Sequence, residues 1–196
     1  MIPGAVFLAF TCWGVAFGWP AGNFWVKIGL SVLCVCAYSL CWQRPVMRAR
    51  PESFILGVFA AAALYLVFFI GNALAPYVVH DAPVQAAGIY GLGKGVGSLR
   101  ILLLLLFVTG PGEEIFWRGF LQSAMMTRFG NVPGFLAATA LYAGVHIFSR
   151  NLVLILAALV AGAFWGALYL WRRDLTLLIV SHSLWSAVIF AVAPIK

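Results

Sequence analysis

Charged residues are scarce in this sequence, since only 9% of its 196 residues are Asp, Glu, Lys or Arg and only five are acidic. A soluble domain carries charge on about a quarter of its residues. The low charge, the hydrophobic fraction of 64% and the mean hydropathy of +1.05 exclude a soluble globular protein and a disordered one. Because apolar runs of this kind need lipid around them, the composition predicts an all-α, polytopic transmembrane helical bundle.

Basic residues outnumber acidic ones by 12 to 5, which gives a formal net charge of +7. In a soluble protein that excess would suggest a nucleic-acid partner. Here the basic residues stand beside apolar runs, so we expect juxtamembrane charge that contacts anionic lipid, and no nucleic-acid partner. The residues concerned are Arg44, Arg48, Arg50, Arg150, Arg172 and Arg173.

Several motifs of metal binding and covalent catalysis are missing. The four cysteines form no C-x-x-C pair, and H-E-x-x-H and G-x-S-x-G are also absent. The glycine-rich stretch 91–97 fits neither a dinucleotide-binding fingerprint nor a P-loop, so it is interpreted as a flexible connection. We therefore expect no metal and no cofactor. The cysteines are expected to be small buried packing residues: Cys12, Cys34, Cys36 and Cys41.

Apolar segments bounded by charge, proline and glycine predict about seven helices in a single integral-membrane domain, residues 1–196. The first is expected to be a retained helix rather than a signal peptide, because no basic residue precedes Lys27. The fourth is interrupted by Gly110-Pro111-Gly112, where we expect a helix start or a kink. The segments are approximately 2–19, 22–42, 53–79, 98–128, 133–148, 151–171 and 175–192.

Two adjacent acids, Glu113 and Glu114, lie inside the fourth segment. Ionisable groups within a bilayer are costly, so each needs a partner or a function. Glu114 stands four residues before Arg118, which is the favourable order for an ion pair on one helical face. Glu113 lies about 100° around the helix from Glu114 and has no intrahelical partner. A helix start here would place Glu113 near free backbone N–H groups, which favour a carboxylate.

Two histidines lie in later apolar segments, each with a polar residue one turn away. Tyr142 precedes His146 by four residues, and Ser186 follows His182 by four. Measured from the end that carries Arg128, the depths of Glu113, His146 and His182 at 1.5 Å per residue are roughly 22, 22 and 13 Å. These depths permit one shared site in the interior of the bundle.

Such a site can hydrolyse a peptide bond without a covalent intermediate. A carboxylate beside a neutral imidazole can hold a water molecule and accept its proton. A second histidine with a hydroxyl group can donate hydrogen bonds to a developing oxyanion. Zinc is an open alternative, because Glu and His are also zinc ligands.

The polar segments resemble the CPBP family of intramembrane glutamic endopeptidases, also called the Abi family, which includes the type II CAAX prenyl protease. The first family motif, E-E-x-x-x-R followed by Gly, is matched by residues 113–119. The second, F-x-x-x-H, is matched by residues 142–146 with Tyr142 in place of Phe. The third, H-x-x-x-N, is matched by residues 182–186 with Ser186 in place of Asn.

The resemblance covers residues 105–190 and implies that they form the catalytic motif core of a membrane-embedded glutamic endopeptidase. It implies roles for seven residues: Glu113 and His146 in activating water, His182 and Ser186 in an oxyanion site, and Glu114, Arg118 and Tyr142 in supporting the site. The expected reaction is hydrolysis of a peptide bond near the C-terminus or membrane end of a protein substrate.

The expected partners are the lipid bilayer and a membrane protein substrate that is prenylated or C-terminally tagged, such as a CAAX protein, a protein with a sorting tail or a peptide precursor. The expected location is a prokaryotic cell (inner) membrane, crossed several times. Two other functions stay open: a non-catalytic scaffold or bacteriocin-immunity member of the same family, and a proton-coupled carrier in which Glu113 and the histidines relay protons.

Overall fold

The structure, a computed structural model, describes residues 1–47 and 49–195. These residues form eight helices and no strand, which confirms the prediction of an all-α bundle. Arg48, one of the predicted juxtamembrane basic residues, lies outside the described residues. The helices are α1 Ile2–Gly18, α2 Phe24–Trp42, α3 Pro51–Val78, α4 Ala82–Gly91, α5 98–129, α6 Asn131–Ser149, α7 Leu152–Arg172 and α8 Leu175–Val192.

Five helices, α2, α3, α6, α7 and α8, are long and apolar enough to cross a membrane. The outer surface of the bundle is correspondingly apolar. Phe59 is 68% exposed, Phe107 71% and Tyr77 88%. A continuous apolar exterior is typical of contact with lipid, so the bundle is a polytopic membrane fold.

The cysteines lie on or near this outer surface. Cys34 and Cys41 are exposed, and Cys12 and Cys36 are half-buried. The prediction that all four are buried packing residues is therefore wrong. Helix α2 packs inward with another face, on which Val32, Val35 and Ser39 are buried.

Helix α4 is the one that the sequence did not predict. It begins after Asp81 with proline in its first turn, which is a favourable helix start. Its ten residues include alanines, glycines and no clear apolar face, and the helix is too short to cross a bilayer. The glycine-rich connection that follows it contains Gly95 at φ +79°, a conformation that suits glycine.

Gly110-Pro111-Gly112 does not begin a helix, so the helix start, one of the two predicted alternatives, is wrong. Helix α5 runs continuously through it, and π-helical segments Leu105–Thr109 and Ile115–Gln122 lie on either side. Proline lacks an N–H and crowds the preceding turn, and a wider turn can accommodate it. Glu113 therefore lies inside a helix, not among the free N–H groups of a helix start.

Two glycines allow α5 to pass close to its neighbours. A Cβ atom on Gly110 would lie 2.3 Å from Oγ of Ser183 on α8, and one on Gly112 would lie 2.5 Å from Cγ1 of Val32 on α2. Small residues of this kind permit close helix approach in membrane proteins. They place the segment that carries both glutamates between α2 and α8.

Asp174 fixes the start of α8. Its Oδ1 atom accepts hydrogen bonds from the backbone N–H groups of Thr176 and Leu177 at 3.1 and 3.3 Å. Its Oδ2 atom accepts one from Ser53 of α3 at 2.6 Å. This N-cap anchors α8 to α3, and His182 follows about two turns later along α8.

Candidate active site

The two adjacent glutamates of α5 point to different surroundings. Glu114 is completely buried, whereas Glu113 is 9% exposed and lines a small cavity of about 130 Å³. Successive residues of a helix diverge by about 100°, so the predicted separation of the two acids is found in the structure.

Glu114 is the centre of a buried ion cluster. Nη1 of Arg118 donates to its Oε1 atom at 2.8 Å, which confirms the predicted pair. The Nδ1 atom of His182 lies 2.7 Å from the same oxygen, a contact that the sequence did not predict. Nη2 of Arg118 also donates to the carbonyl oxygen of Gly162 at 3.3 Å. Charges this deeply buried are tolerated when they are paired and hydrogen-bonded.

Trp165 of α7 packs flat against His182. The two ring centroids are 3.9 Å apart and the planes differ by 15°. The indole N–H of Trp165 donates to Oγ of Ser181 at 3.1 Å, which fixes the indole. His182 is thus held through Nδ1 and through one ring face, while its Nε2 atom makes no hydrogen bond to the described part of the chain.

Tyr142 and His146 lie on one face of α6, as predicted. The hydroxyl of Tyr142 donates to Oε2 of Glu113 at 3.1 Å. The Nδ1 atom of His146 is 2.8 Å from the backbone carbonyl oxygen of Tyr142. Because a carbonyl only accepts, Nδ1 carries the proton, and Nε2 of the neutral ring then has a free lone pair. The last turn of α6, Val145–Ser149, tightens to a 3₁₀-helix at this point.

The small cavity brings the predicted site residues of α5, α6 and α8 together. Arg118 and Glu114 do not line it and instead form the ion cluster behind it. The predicted residues that line the cavity are Glu113, Tyr142, His146, His182 and Ser186.

Aromatic residues of the first two helices complete the wall of the small cavity, a role that was not predicted from the sequence. Trp13 and Phe17 of α1 lie against His146, with ring centroids 6.3 and 5.8 Å away. Phe24 and Trp25 at the start of α2 also line the cavity. Aromatic residues make up 15% of the chain, so no pattern distinguishes these four from lipid-facing ones.

A second, larger cavity of about 330 Å³ adjoins the small one and is lined almost entirely by apolar side chains of α3, α4, α7 and α8. One of its lining residues, Asn72, carries an amide side chain. Five residues line both cavities: Ile89, Leu154, Ala157, Trp185 and Phe190. An apolar space therefore lies directly beside the polar candidate site.

No three His, Cys, Asp or Glu side chains are grouped closely enough to hold a metal ion anywhere in residues 1–47 and 49–195. The cavity instead presents one carboxylate, two imidazoles and one hydroxyl. Such a set can accept a proton from water and donate hydrogen bonds to an oxyanion.

The sequence profile of the type II CAAX prenyl endopeptidase Rce1-like family matches residues 95–188. This segment contains all seven predicted site residues and covers close to half of the chain. Comparison with curated proteins gave no match, and comparison with solved structures gave none either.

Proposed function

We propose that this chain, whose residues 95–188 match the Rce1-like family of type II CAAX prenyl endopeptidases, is an intramembrane endopeptidase of glutamic type. Its family and its five apolar helices make it an integral membrane protein. The proposed reaction is hydrolysis of a peptide bond near the C-terminus or membrane end of a protein substrate.

One observation carries the proposal: Glu113 and His146 line the same small cavity as His182 and Ser186. A water molecule between Glu113 and His146 would attack the scissile carbonyl carbon. Glu113 would take one proton from this water. The lone pair on Nε2 of His146 would accept a hydrogen bond from the other O–H group of the water. The proton would then pass from Glu113 to the amine as the C–N bond breaks.

The oxyanion formed by this attack needs donors, and we assign them to His182 and Ser186. Since Nδ1–H of His182 points to Glu114, a second donor at Nε2 requires the imidazolium form. Two carboxylates, Glu113 and Glu114, are then balanced by two cations, Arg118 and His182. Charge balance of this kind supports an ionised cluster in a low-dielectric interior.

The large apolar cavity supports the proposal that the substrate carries an apolar group near the cleaved bond. Prenylated proteins and proteins with an apolar C-terminal tag both meet this requirement. Because Trp185 and Phe190 line both cavities, a chain held in the large one would lie beside the candidate catalytic groups. Residues 105–190 would form the catalytic core of one membrane domain.

The test uses the purified full chain in proteoliposomes with two quenched fluorescent peptides of one CAAX-type sequence, one farnesylated and one unmodified. Internal cleavage, located by mass spectrometry, is expected in at least one peptide. It should be abolished by Glu113→Ala and by His146→Ala while both variants remain folded. Cleavage that survives both changes, or no cleavage by the folded wild-type chain, would refute the proposal.

Three further measurements, in liposomes, in cells and of metal content, decide among the other functions. Proton flux across the liposomes that depends on Glu113, without proteolysis, would indicate a carrier. A cellular role that survives both substitutions would indicate a scaffold or immunity protein. Stoichiometric zinc bound through His146 and His182 would replace the glutamic mechanism with a metal-dependent one.

A further inference from the structure

Tyr142 carries a hydroxyl group at a position where the matched motif has phenylalanine. That hydroxyl donates to Oε2 of Glu113 at 3.1 Å. Within the described residues Glu113 has no other hydrogen-bond partner. A buried carboxylate with a single partner depends strongly on it, because an unsatisfied buried charge is costly.

The ring of Tyr142 is held in place from several sides. The Arg118 guanidinium lies 4.6 Å from its centroid, and Trp117 packs against it in a T-shaped arrangement at a centroid distance of 5.2 Å. Gly162 of α7 leaves room for the ring, since a Cβ there would lie 2.9 Å from Cδ1 of Tyr142. A ring fixed in this way presents its hydroxyl at a defined point.

The consequence concerns the two oxygens of Glu113. Oε2 receives the Tyr142 hydroxyl, whereas Oε1 makes no hydrogen bond to the described part of the chain and is left for another donor. Tyr142 also places His146, whose Nδ1 bonds to the Tyr142 carbonyl oxygen at 2.8 Å. One residue thus orients both groups to which water activation is assigned.

We propose that the hydroxyl of Tyr142 is a positioning group that locks Oε2 of Glu113 and directs Oε1 toward the attacking water. This inference rests on the proposed function. The positioning depends on the tyrosine hydroxyl of this chain. Phenylalanine at the same position would fill the same space but would leave the carboxylate without its hydrogen-bond donor.

Tyr142→Phe tests the proposal, because it removes one oxygen atom and keeps the ring that fills the space beside Gly162. On the peptide that the wild-type chain cleaves we expect kcat to fall by about tenfold, as for the loss of a charge-assisted hydrogen bond, with KM unchanged. Tyr169→Phe is the matched control. Tyr169 is a buried tyrosine of α7 that lines neither cavity, and its variant should keep the wild-type kcat.

An infrared measurement tests the contact without any substrate. The carboxyl band of Glu113 is identified as the band that disappears in Glu113→Gln. We expect this band to shift in Tyr142→Phe and to stay unchanged in Tyr169→Phe. An unshifted band, or a wild-type kcat in Tyr142→Phe, overturns the inference. A wild-type chain that cleaves neither peptide overturns the proposed function instead, whatever the infrared result.

Discussion

The Nδ1 atom of His182 lies 2.7 Å from Oε1 of Glu114, although 68 residues separate the two in sequence. The contact joins α5 to α8 in the interior of the bundle. Because Arg118 donates to the same oxygen, the ion pair within α5 and the histidine of α8 form one unit. This unit holds His182 at the edge of the small cavity into which Glu113 projects.

The substitutions Glu113→Gln and Glu114→Gln should change the free energy of unfolding by very different amounts. Glu114→Gln removes the charge that balances buried Arg118, and the loss of one partner of a buried pair costs about 3 kcal/mol. Glu113→Gln keeps an oxygen that can accept from Tyr142, so we expect a change within about 1 kcal/mol. Reversible unfolding in mixed detergent micelles measures both. Equal losses in the two variants would contradict the assignment of Glu114 to the ion cluster.

Ser186 should act as a hydrogen-bond donor to the oxyanion. It is buried and lines the small cavity, and its hydroxyl makes no hydrogen bond to the described part of the chain. Ser186→Ala should lower kcat by about 100-fold, as for the loss of an oxyanion donor. Ser186→Asn supplies an amide donor instead and should retain most activity. A Ser186→Ala variant with wild-type kcat would remove Ser186 from the oxyanion site.

Gly110 should be essential for the contact between α5 and α8. In Gly110→Ala the new Cβ atom would lie 2.3 Å from Oγ of Ser183 and 2.9 Å from the carbonyl oxygen of Leu105. Overpacking of this kind costs about 1–3 kcal/mol. Gly71→Ala is the control, because no atom lies within 4 Å of its Cβ position. If both variants unfold at the same denaturant concentration as the wild-type chain, the close approach of the two helices is not supported.

The membrane class and the local residue pairs could be predicted because they depend on composition and helical spacing. The low fraction of charged residues predicts a membrane environment. A spacing of four residues predicts that Glu114 lies beside Arg118 and that Tyr142 lies beside His146. These are properties of a single helix. The family resemblance then pointed to the same polar residues.

Contacts between distant helices could not be predicted in this way. Nothing local links His182 to Glu114, or the aromatic side chains of Trp13 and Phe17 to His146. The π-helical segments on either side of Pro111 contact α2 and α8, and such contacts are not encoded in the local sequence pattern. Helix α4 is not predicted because its residues, half of them alanine and glycine, form no clear apolar face.

The most direct test of the glutamic mechanism is the ratio of kcat/KM between the wild-type chain and Glu113→Gln on the peptide that the wild-type chain cleaves. If Glu113 is the general base, the substitution should lower kcat/KM by at least about a thousandfold while the unfolding free energy stays near that of the wild-type chain. A Glu113→Gln variant within about tenfold of the wild-type kcat/KM would show that another group activates the water and would contradict the central claim.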